Sequence, residues 1–287
     1  MLRPPSAGRA RWWATGYEYF KRLPTGNLAV ALPPIVVFVS LPLTGERTVP
    51  GIAEENYWFR RHEAAYVWIL DRFGAGFDES VLVDAGCGEG YGAALMASRA
   101  GLVVGLELDP AAVAHVGSVY RDPVRAVRSN LDALPMAPDS ADYLISMQVV
   151  EHLWDLPRFL AESRRVVKPG GTAVFATPNR LTFSPGLGRG EKPTNPFHVE
   201  EFDAEQMVEL CKAAGFGEVV VYGLHHDAQL AAWEKANGSI VAAQIDAVMS
   251  EQWPASLLEQ VAQVSIHDFA ITTENLDASS DLIAVCS

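Results

Sequence analysis

"VLVDAGCGEG", residues 81–90, decides the fold. Its first half is a short apolar run that ends in an acid, and its second half sets Gly86, Gly88 and Gly90 at alternate positions. A run of that length bounded by glycine reads as a buried strand. "YGAALMASRAG", residues 91–101, then reads as a helix closed by Gly101. Glycine accepts positive φ and lets the backbone approach a ligand, so the turn can cradle a small molecule. Any tight strand–helix junction could use the same glycines, so the loop alone decides only local structure.

The rhythm repeats on both sides. "LVVGLELD" (102–109) is a second strand, and "PAAVAHVGSVY" (110–120) a helix opened by Pro110 after Asp109. "VRAVRSNL" (124–131) and "ADYLISMQV" (141–149) are strands, "LPRFLAESRRVV" (156–167) a helix, and "GTAVFATP" (171–178) a fifth strand. "VVKPGG" marks a helix end and the turn into that strand. Upstream, "ENYWFRRHEAAYVWILDRF" (55–73) has apolar residues at helical spacing. Strands alternating with helices predict a parallel sheet with right-handed crossovers, an α/β fold. After the helix "DAEQMVELCKAAGF" (203–216) come two last strands, "GEVVVYGL" (217–224) and "DLIAVCS" (281–287). A mostly helical insertion, 225–280, separates them, and an irregular one, 179–202, follows strand five. Both leave the carboxyl edge of the sheet, where open α/β folds bind ligands. The expected organisation is a poorly ordered extension at 1–42, a helical cap at 43–75, a core at 76–224, an insertion serving as lid or homodimer element, and the final strand at 281–287.

Bulk composition excludes several classes. The chain has 287 residues, 49% of them hydrophobic and 20% charged, as expected of a globular protein. Its net charge of −13 disfavours nucleic acid and anionic lipid as partners. Cys87, Cys211 and Cys286 are odd in number and widely spaced, which points to reduced thiols in the cytoplasm. The basic, aromatic stretch 3–22 is followed by "LAVALPPIVVFVSLPL" (28–43). At 16 residues, with Pro33, Pro34 and Pro42 inside it, that run is short of the ~20 that span a bilayer.

The second strand ends in Glu107, about twenty residues past the loop, where a carboxylate can take both hydroxyls of an adenosine ribose. A dinucleotide loop is GxGxxG; here the spacing is GxGxG, with Asp84 before it and Tyr91 after. An acid at that position repels a pyrophosphate and suits the ammonium and sulfonium of S-adenosyl-L-methionine (SAM). That disfavours a nicotinamide dehydrogenase.

Residues 55–224 resemble the class I SAM-dependent methyltransferases, with "VDAGCGEGYG", "VVGLELDP", "NLDALPM", "ADYLISMQVVEHL", "RRVVKPGG" and "VFATPN" in register. The resemblance implies a Rossmann-like, seven-stranded sheet whose last strand is antiparallel. It implies SAM contacts from Asp84, Gly86, Cys87, Gly88, Gly90 and Tyr91 on the methionine side and Glu107 and Leu108 at the ribose. Asn130 and Leu131 would hold the adenine edge, the asparagine replacing a usual aspartate, and Ser146, Met147 and Gln148 would line the sulfonium end. "ENYWFRRH", "TPNRLTFSPG", "NPFHVEEFD" and the "GSIVAAQIDAVM" insertion are similar to actinobacterial methyltransferases linked to methylglucose lipopolysaccharide synthesis. That closer likeness implies O-methylation of a sugar hydroxyl in an oligosaccharide or polysaccharide precursor.

"QVVEHLWD", residues 148–155, holds the candidate catalytic pair. A sugar hydroxyl is a poor nucleophile, and a general base contributes ~10²–10⁴-fold. Three roles are open to Glu151 and His152. Glu151 could open a helix while His152 packs in the core; His152 or His198 could be the base; or Glu151, His152 and His198 could hold a divalent cation such as Mg2+. Gln148, Glu151 and His152, at i, i+3 and i+4, would share one helical face. Two related O-methyltransferase groups, one acting on ubiquinone precursors and one on small RNAs, have a similar ExxEH that binds magnesium, and the RNA group adds a histidine from a later loop that His198 in "NPFHVEEFD" resembles. Gln148 departs from the first acid of that motif. A small aromatic or lipid-precursor acceptor predicts instead an apolar pocket, with His152 and His198 apart. A non-catalytic SAM-binding protein is the reading from outside the enzymes. His225 and His226 would start the insertion, His62 would lie on a helix able to close over SAM, and Trp154 would pack.

Overall fold

A computed structural model describes residue 41 and residues 47–287; the extension 1–40 lies outside the described residues. Helix α1, Asn56–Phe73, leads into strand β1, Val81–Ala85. There follow α2 (Tyr91–Met96), β2 (Leu102–Glu107), α3 (Pro110–Val119), β3 (Val124–Arg128), β4 (Ala141–Met147), α4 (Leu156–Val166) and β5 (Val167–Pro178). A short α5, Arg180–Phe183, precedes α6 (Ala204–Ala213) and β6 (Val219–His226). The insertion supplies α7 (Ala228–Asn237), α8 (Ile240–Ser250), α9 (Ala255–Gln263) and β7 (Phe269–Thr272), and β8, Asp281–Cys286, ends the fold.

The sheet order is β3-β2-β1-β4-β5-β8-β6-β7. β1 to β5 are mutually parallel, and β8 lies antiparallel between β5 and β6, as expected of this fold. The strand count differs from the expected seven. The insertion is not wholly helical: Phe269–Thr272 pairs antiparallel with the end of β6 and adds an eighth strand at the edge.

Helix starts follow from local chemistry. Asp109 accepts the Ala111 amide at 2.8 Å with Pro110 at the first helical position, and Asp203 accepts the Gln206 amide at 2.8 Å. Asp155 caps α4 by accepting the Arg158 amide, so that helix opens beyond Glu151. The "KPGG" segment corrects the expected turn: it belongs to β5 as a bulge. Pairing with β4 jumps from Ala141–Val167 to Tyr143–Thr172, and Gly170 takes φ +81°.

Successive strand residues feed opposite faces of the sheet. Leu82, Val103 and Ile145 join the face covered by α1, α2 and the insertion helices; Val83, Ala85, Leu106 and Leu144 join the face covered by α4 and α6. Fully buried Phe159 of α4 stacks edge-on against Phe175 of β5, ring centroids 5.9 Å apart, and truncating such a residue to alanine costs about 3–5 kcal/mol. The insertion is tied to α1. Asn56 Nδ2 donates to the carbonyls of Val261 (2.9 Å) and Val264 (2.8 Å) at the end of α9, and Tyr57 Oη meets His226 Nε2 at 2.7 Å. His226 and His225 thus complete β6 instead of starting the insertion. Cys87, Cys211 and Cys286 are all free and buried. Among the described residues, no helix is long and apolar enough to cross a membrane.

Candidate functional site

A cleft of about 250 Å³ opens at the carboxyl edge of the parallel strands. Gly86, Cys87, Gly88, Tyr91, Glu107, Leu108, Asn130, Leu131, Met147 and Gln148 all line it, and His152 stands at its end. The glycine loop earns its composition. Gly86, Gly88 and Gly90 have φ of +82°, +54° and +101°. A Cβ on Gly86 would lie 2.5 Å from Val149 Cγ2, whereas over Gly88 the nearest atom is Arg47 Cγ at 3.7 Å. Glu107 is held by the amides of Gly88 (3.0 Å), Leu108 (2.8 Å) and Asp109 (2.9 Å), leaving its oxygens at the cleft wall.

Three of the expected cofactor residues stand behind the lining. Gly90 packs beneath the loop, where a Cβ would meet Val116 Cγ2 at 2.7 Å. Ser146 Oγ donates to the Ala85 carbonyl at 2.9 Å and joins two strands. Asp84 is fully buried and accepts from Tyr66 Oη at 3.3 Å, so the tyrosine lines the cleft and the acid supports it. Burial pushes the Asp84 carboxyl up to about 7, against the Tyr66 hydrogen bond, with Glu107 adding to the rise. A ligand carrying positive charge at this end of the cleft would favour the ionised form, as the ammonium of SAM would.

Arg47, Thr48, His62, Glu89, Val149 and Leu153 complete the lining. Arg47 reaches across Gly88 to Asp109, with Nη2 and Oδ2 3.0 Å apart. His62 Nδ1 lies 3.2 Å from Tyr91 Oη; burial and the neighbouring Arg61 push its pKa down to about 3, so it is neutral. Of these, only His62 had a sequence signal, its place on the aromatic helix.

The catalytic candidates converge, but not as a helical face. Val150–His152 is a single 3₁₀ turn and Gln148 has φ +55°, so Gln148 is turned away from the pair it was expected to join. Its Nε2 donates to Asp281 Oδ1 at 3.1 Å. Glu151, His152 and His198 do come together, each offering a ligand atom within 4.8 Å of the others. His152 Nδ1 donates to the Phe197 carbonyl at 3.1 Å, which leaves Nε2 as the lone-pair nitrogen, 3.9 Å from Glu151 Oε1. Burial pushes the His152 pKa down, opposed by the Phe197 carbonyl and aided by His198. His198 Nδ1 bonds Glu201 Oε1 at 2.6 Å, and its Nε2 accepts from Asn195 Nδ2 at 3.0 Å. Glu151 is buried; Thr177 Oγ1 donates to its Oε2 at 3.1 Å, while its Oε1 has no hydrogen-bond partner among the described residues. Burial pushes this carboxyl up to about 7, with His198 opposing.

Trp154, expected to pack, is 91% exposed, and Phe197, which precedes His198, is 56% exposed. Both flank the histidine pair in sequence, at the rim of the site.

Comparison with known proteins agrees with this geometry. Residues 83–175 match a family described as methyltransferase domain. The chain is 46% identical over 252 residues to a probable S-adenosylmethionine-dependent methyltransferase of Mycolicibacterium smegmatis, covering 86% of this chain and 95% of that one. A protein of the same description from Mycobacterium tuberculosis is 43% identical over 251 residues, covering 85% and 89%. Among solved structures, a SAM-dependent methyltransferase and possible histamine N-methyltransferase of Thermotoga maritima is similar at a TM-score of 0.53, with 17% identity over 80% of this chain and 92% of that one. At that identity it speaks for the fold alone. The glycine loop, the Glu107 wall and the extended likeness to the mycobacterial proteins place this chain in the family of SAM-dependent methyltransferases.

Proposed function

We propose that this enzyme transfers the methyl group of SAM to a hydroxyl of a saccharide, within an oligosaccharide or polysaccharide precursor, with His152 taking the hydroxyl proton. The observation that carries this is the convergence of Glu151, His152 and His198 at the end of the cofactor cleft. SAM supplies an already activated methyl carbon, so the protein must align the acceptor oxygen and manage its proton. His152 suits that task because its Nδ1 is held by the Phe197 carbonyl and its Nε2 faces Glu151. Glu151 would stabilise the resulting imidazolium. The exposed rings of Trp154 and Phe197 give a sugar an apolar surface to lie on at the rim.

A divalent cation such as Mg2+ is a second way to activate the hydroxyl, and two observations favour it. Glu151 Oε1 is buried without a hydrogen bond, and each histidine has its Nδ1 committed to an outer oxygen, as metal-bound imidazoles do. Glu151, His152 and His198 would hold the ion, with Asn195 releasing His198 Nε2. A bound cation would lower the pKa of the acceptor hydroxyl. A small aromatic or lipid-precursor acceptor is the rival substrate class. It predicts the two histidines apart, and their ring centroids are 5.0 Å from each other.

Transfer of labelled methyl from SAM to α-linked glucan oligosaccharides, run with Mg2+ and with chelator, tests these assignments together. Transfer lost in chelator supports the saccharide and the cation; transfer indifferent to chelator leaves the histidine base. No transfer to any oligosaccharide by protein that binds SAM rejects the sugar acceptor.

A further inference from the structure

Among the described residues, Gln148 is the one non-glycine residue lining the cleft at positive φ, +55°. Such a conformation costs about 1–2 kcal/mol and persists only where surroundings enforce it. Here the backbone amide of Gln148 donates to the Ala176 carbonyl at 2.8 Å and the side-chain Nε2 donates to Asp281 Oδ1 at 3.1 Å. Asp281 is in turn gripped by Arg61, whose Nε donates to Oδ2 at 2.6 Å and whose Nη2 donates to Oδ1. Arg61 and Asp281 are both buried, and the Arg61 guanidinium lies over the ring of Phe183, 4.7 Å from its centroid.

Topology explains how a residue 133 positions away reaches Gln148. β8 runs against the parallel strands, so its first residue lies where theirs end, with Asp281 opposite Pro178 of β5. Arg61 comes from α1, 220 positions from Asp281. Neither residue lines the cleft.

Held this way, the amide of Gln148 has no freedom to flip. Asp281 offers only acceptor oxygens, so it must face Nε2, and the amide oxygen Oε1 is the atom left for the cleft. Gln148 lines the cleft together with Gly86 and His152, where the family resemblance would put the sulfonium of SAM. We propose that Arg61 and Asp281 are positioning residues that point Gln148 Oε1 at the sulfonium, which adds to the affinity for the cationic donor an attraction its neutral product does not share. The positive sulfonium gains from the negative end of the amide dipole, and S-adenosylhomocysteine, which has lost that charge, does not. Product release is thereby favoured after each transfer, whatever the acceptor.

The test needs no acceptor, so it stands apart from the saccharide assignment. Dissociation constants for SAM and for S-adenosylhomocysteine are measured by calorimetry on the wild type, Gln148→Leu, Asp281→Asn and the double variant. Gln148→Leu should weaken SAM roughly five- to tenfold, the loss of one dipole–cation contact of about 1–1.4 kcal/mol, and S-adenosylhomocysteine less than twofold. Asp281→Asn can present an amide N–H to Gln148 and turn Nε2 into the cleft, so it should lower the same ratio at least as far. Adding Asp281→Asn to Gln148→Leu should then change the ratio no further. Arg61→Lys, which keeps the charge but loses the two-pronged grip, should shift it in the same direction and serves if Asp281→Asn does not fold. Equal weakening of both ligands by Gln148→Leu would overturn the proposal. So would an Asp281→Asn or Arg61→Lys effect on the ratio that is undiminished when Gln148 is already leucine.

Discussion

The two ends of the cleft are built in opposite ways. The donor end is local: one strand, one glycine loop and the acid closing the next strand supply Gly86, Gly88 and Glu107, largely through backbone geometry. The reactive end draws side chains from two separate stretches, with Glu151 and His152 after β4 and His198 from the irregular loop. A local site tolerates change elsewhere in the chain and is ruined by a single Cβ. A convergent site keeps its donor when one side chain is removed but loses its chemistry.

The largest effect should separate the two ends cleanly. His152→Ala is expected to lower methyl transfer by ~10²–10⁴-fold while leaving the dissociation constant for SAM within about twofold, read by labelled transfer and calorimetry. An equal loss of SAM affinity would dissolve the distinction. Gly86→Ala should act the other way. Its Cβ meets Val149 at 2.5 Å on a backbone at φ +82°, so denaturant unfolding should show a loss of about 1–3 kcal/mol and SAM binding should weaken at least tenfold.

Proton linkage gives the next effect. Asp84 and Glu151 both titrate at about 7 in the folded protein, above their ordinary values of 3.8 and 4.5. The stability each contributes is complete below its ordinary value and is lost as pH rises to about 7. The ligand-free protein should therefore melt lower at pH 7 than at pH 5, with Asp84→Asn flattening the trend. Because a cationic ligand favours ionised Asp84, SAM should bind several-fold tighter at pH 8 than at pH 6, with proton release visible as a buffer-dependent binding enthalpy. Binding that is flat across this range would place the SAM ammonium away from Asp84.

The smallest effect belongs to the rim. Trp154→Ala should change folding stability by less than about 0.5 kcal/mol, since the ring is 91% exposed. It should raise KM for an oligosaccharide acceptor several-fold, in keeping with about 0.5–1.5 kcal/mol for an aromatic contact. An unchanged KM would remove the ring from the acceptor surface.

The same contrast explains what was legible in the sequence. Backbone chemistry writes itself locally, so the glycine turn, Glu107, the alternating strands and the helix start at Asp109 could be read in order. The Glu151–His152–His198 group was readable only through resemblance, because nothing in spacing alone brings residue 198 to residue 151. The helical-face pattern failed because Asp155 is the better cap and delays α4, leaving Glu151 on a 3₁₀ turn. Arg47, Tyr66 and Asp281 left no local signal, since their roles come from the segment before α1, α1 itself and β8 meeting the sheet edge. The eighth strand was missed because a four-residue edge segment looks like any stretch of a helical insertion.

The position of β8 has a further consequence for synthesis. β8 follows β6 and β7 in sequence but is threaded between β5 and β6, so the sheet has a gap until residues 281–286 have left the ribosome. Nascent chains can assemble β1 to β5 and the glycine loop early, but β6 and β7 have no strand to join, and Asp281 has yet to be made. Such long-range closure is slow, and the gap leaves strand edges exposed while it lasts. The enzyme thus completes its sheet only once β8 has been made, and a product truncated before Asp281 should be an aggregation-prone substrate for proteolysis.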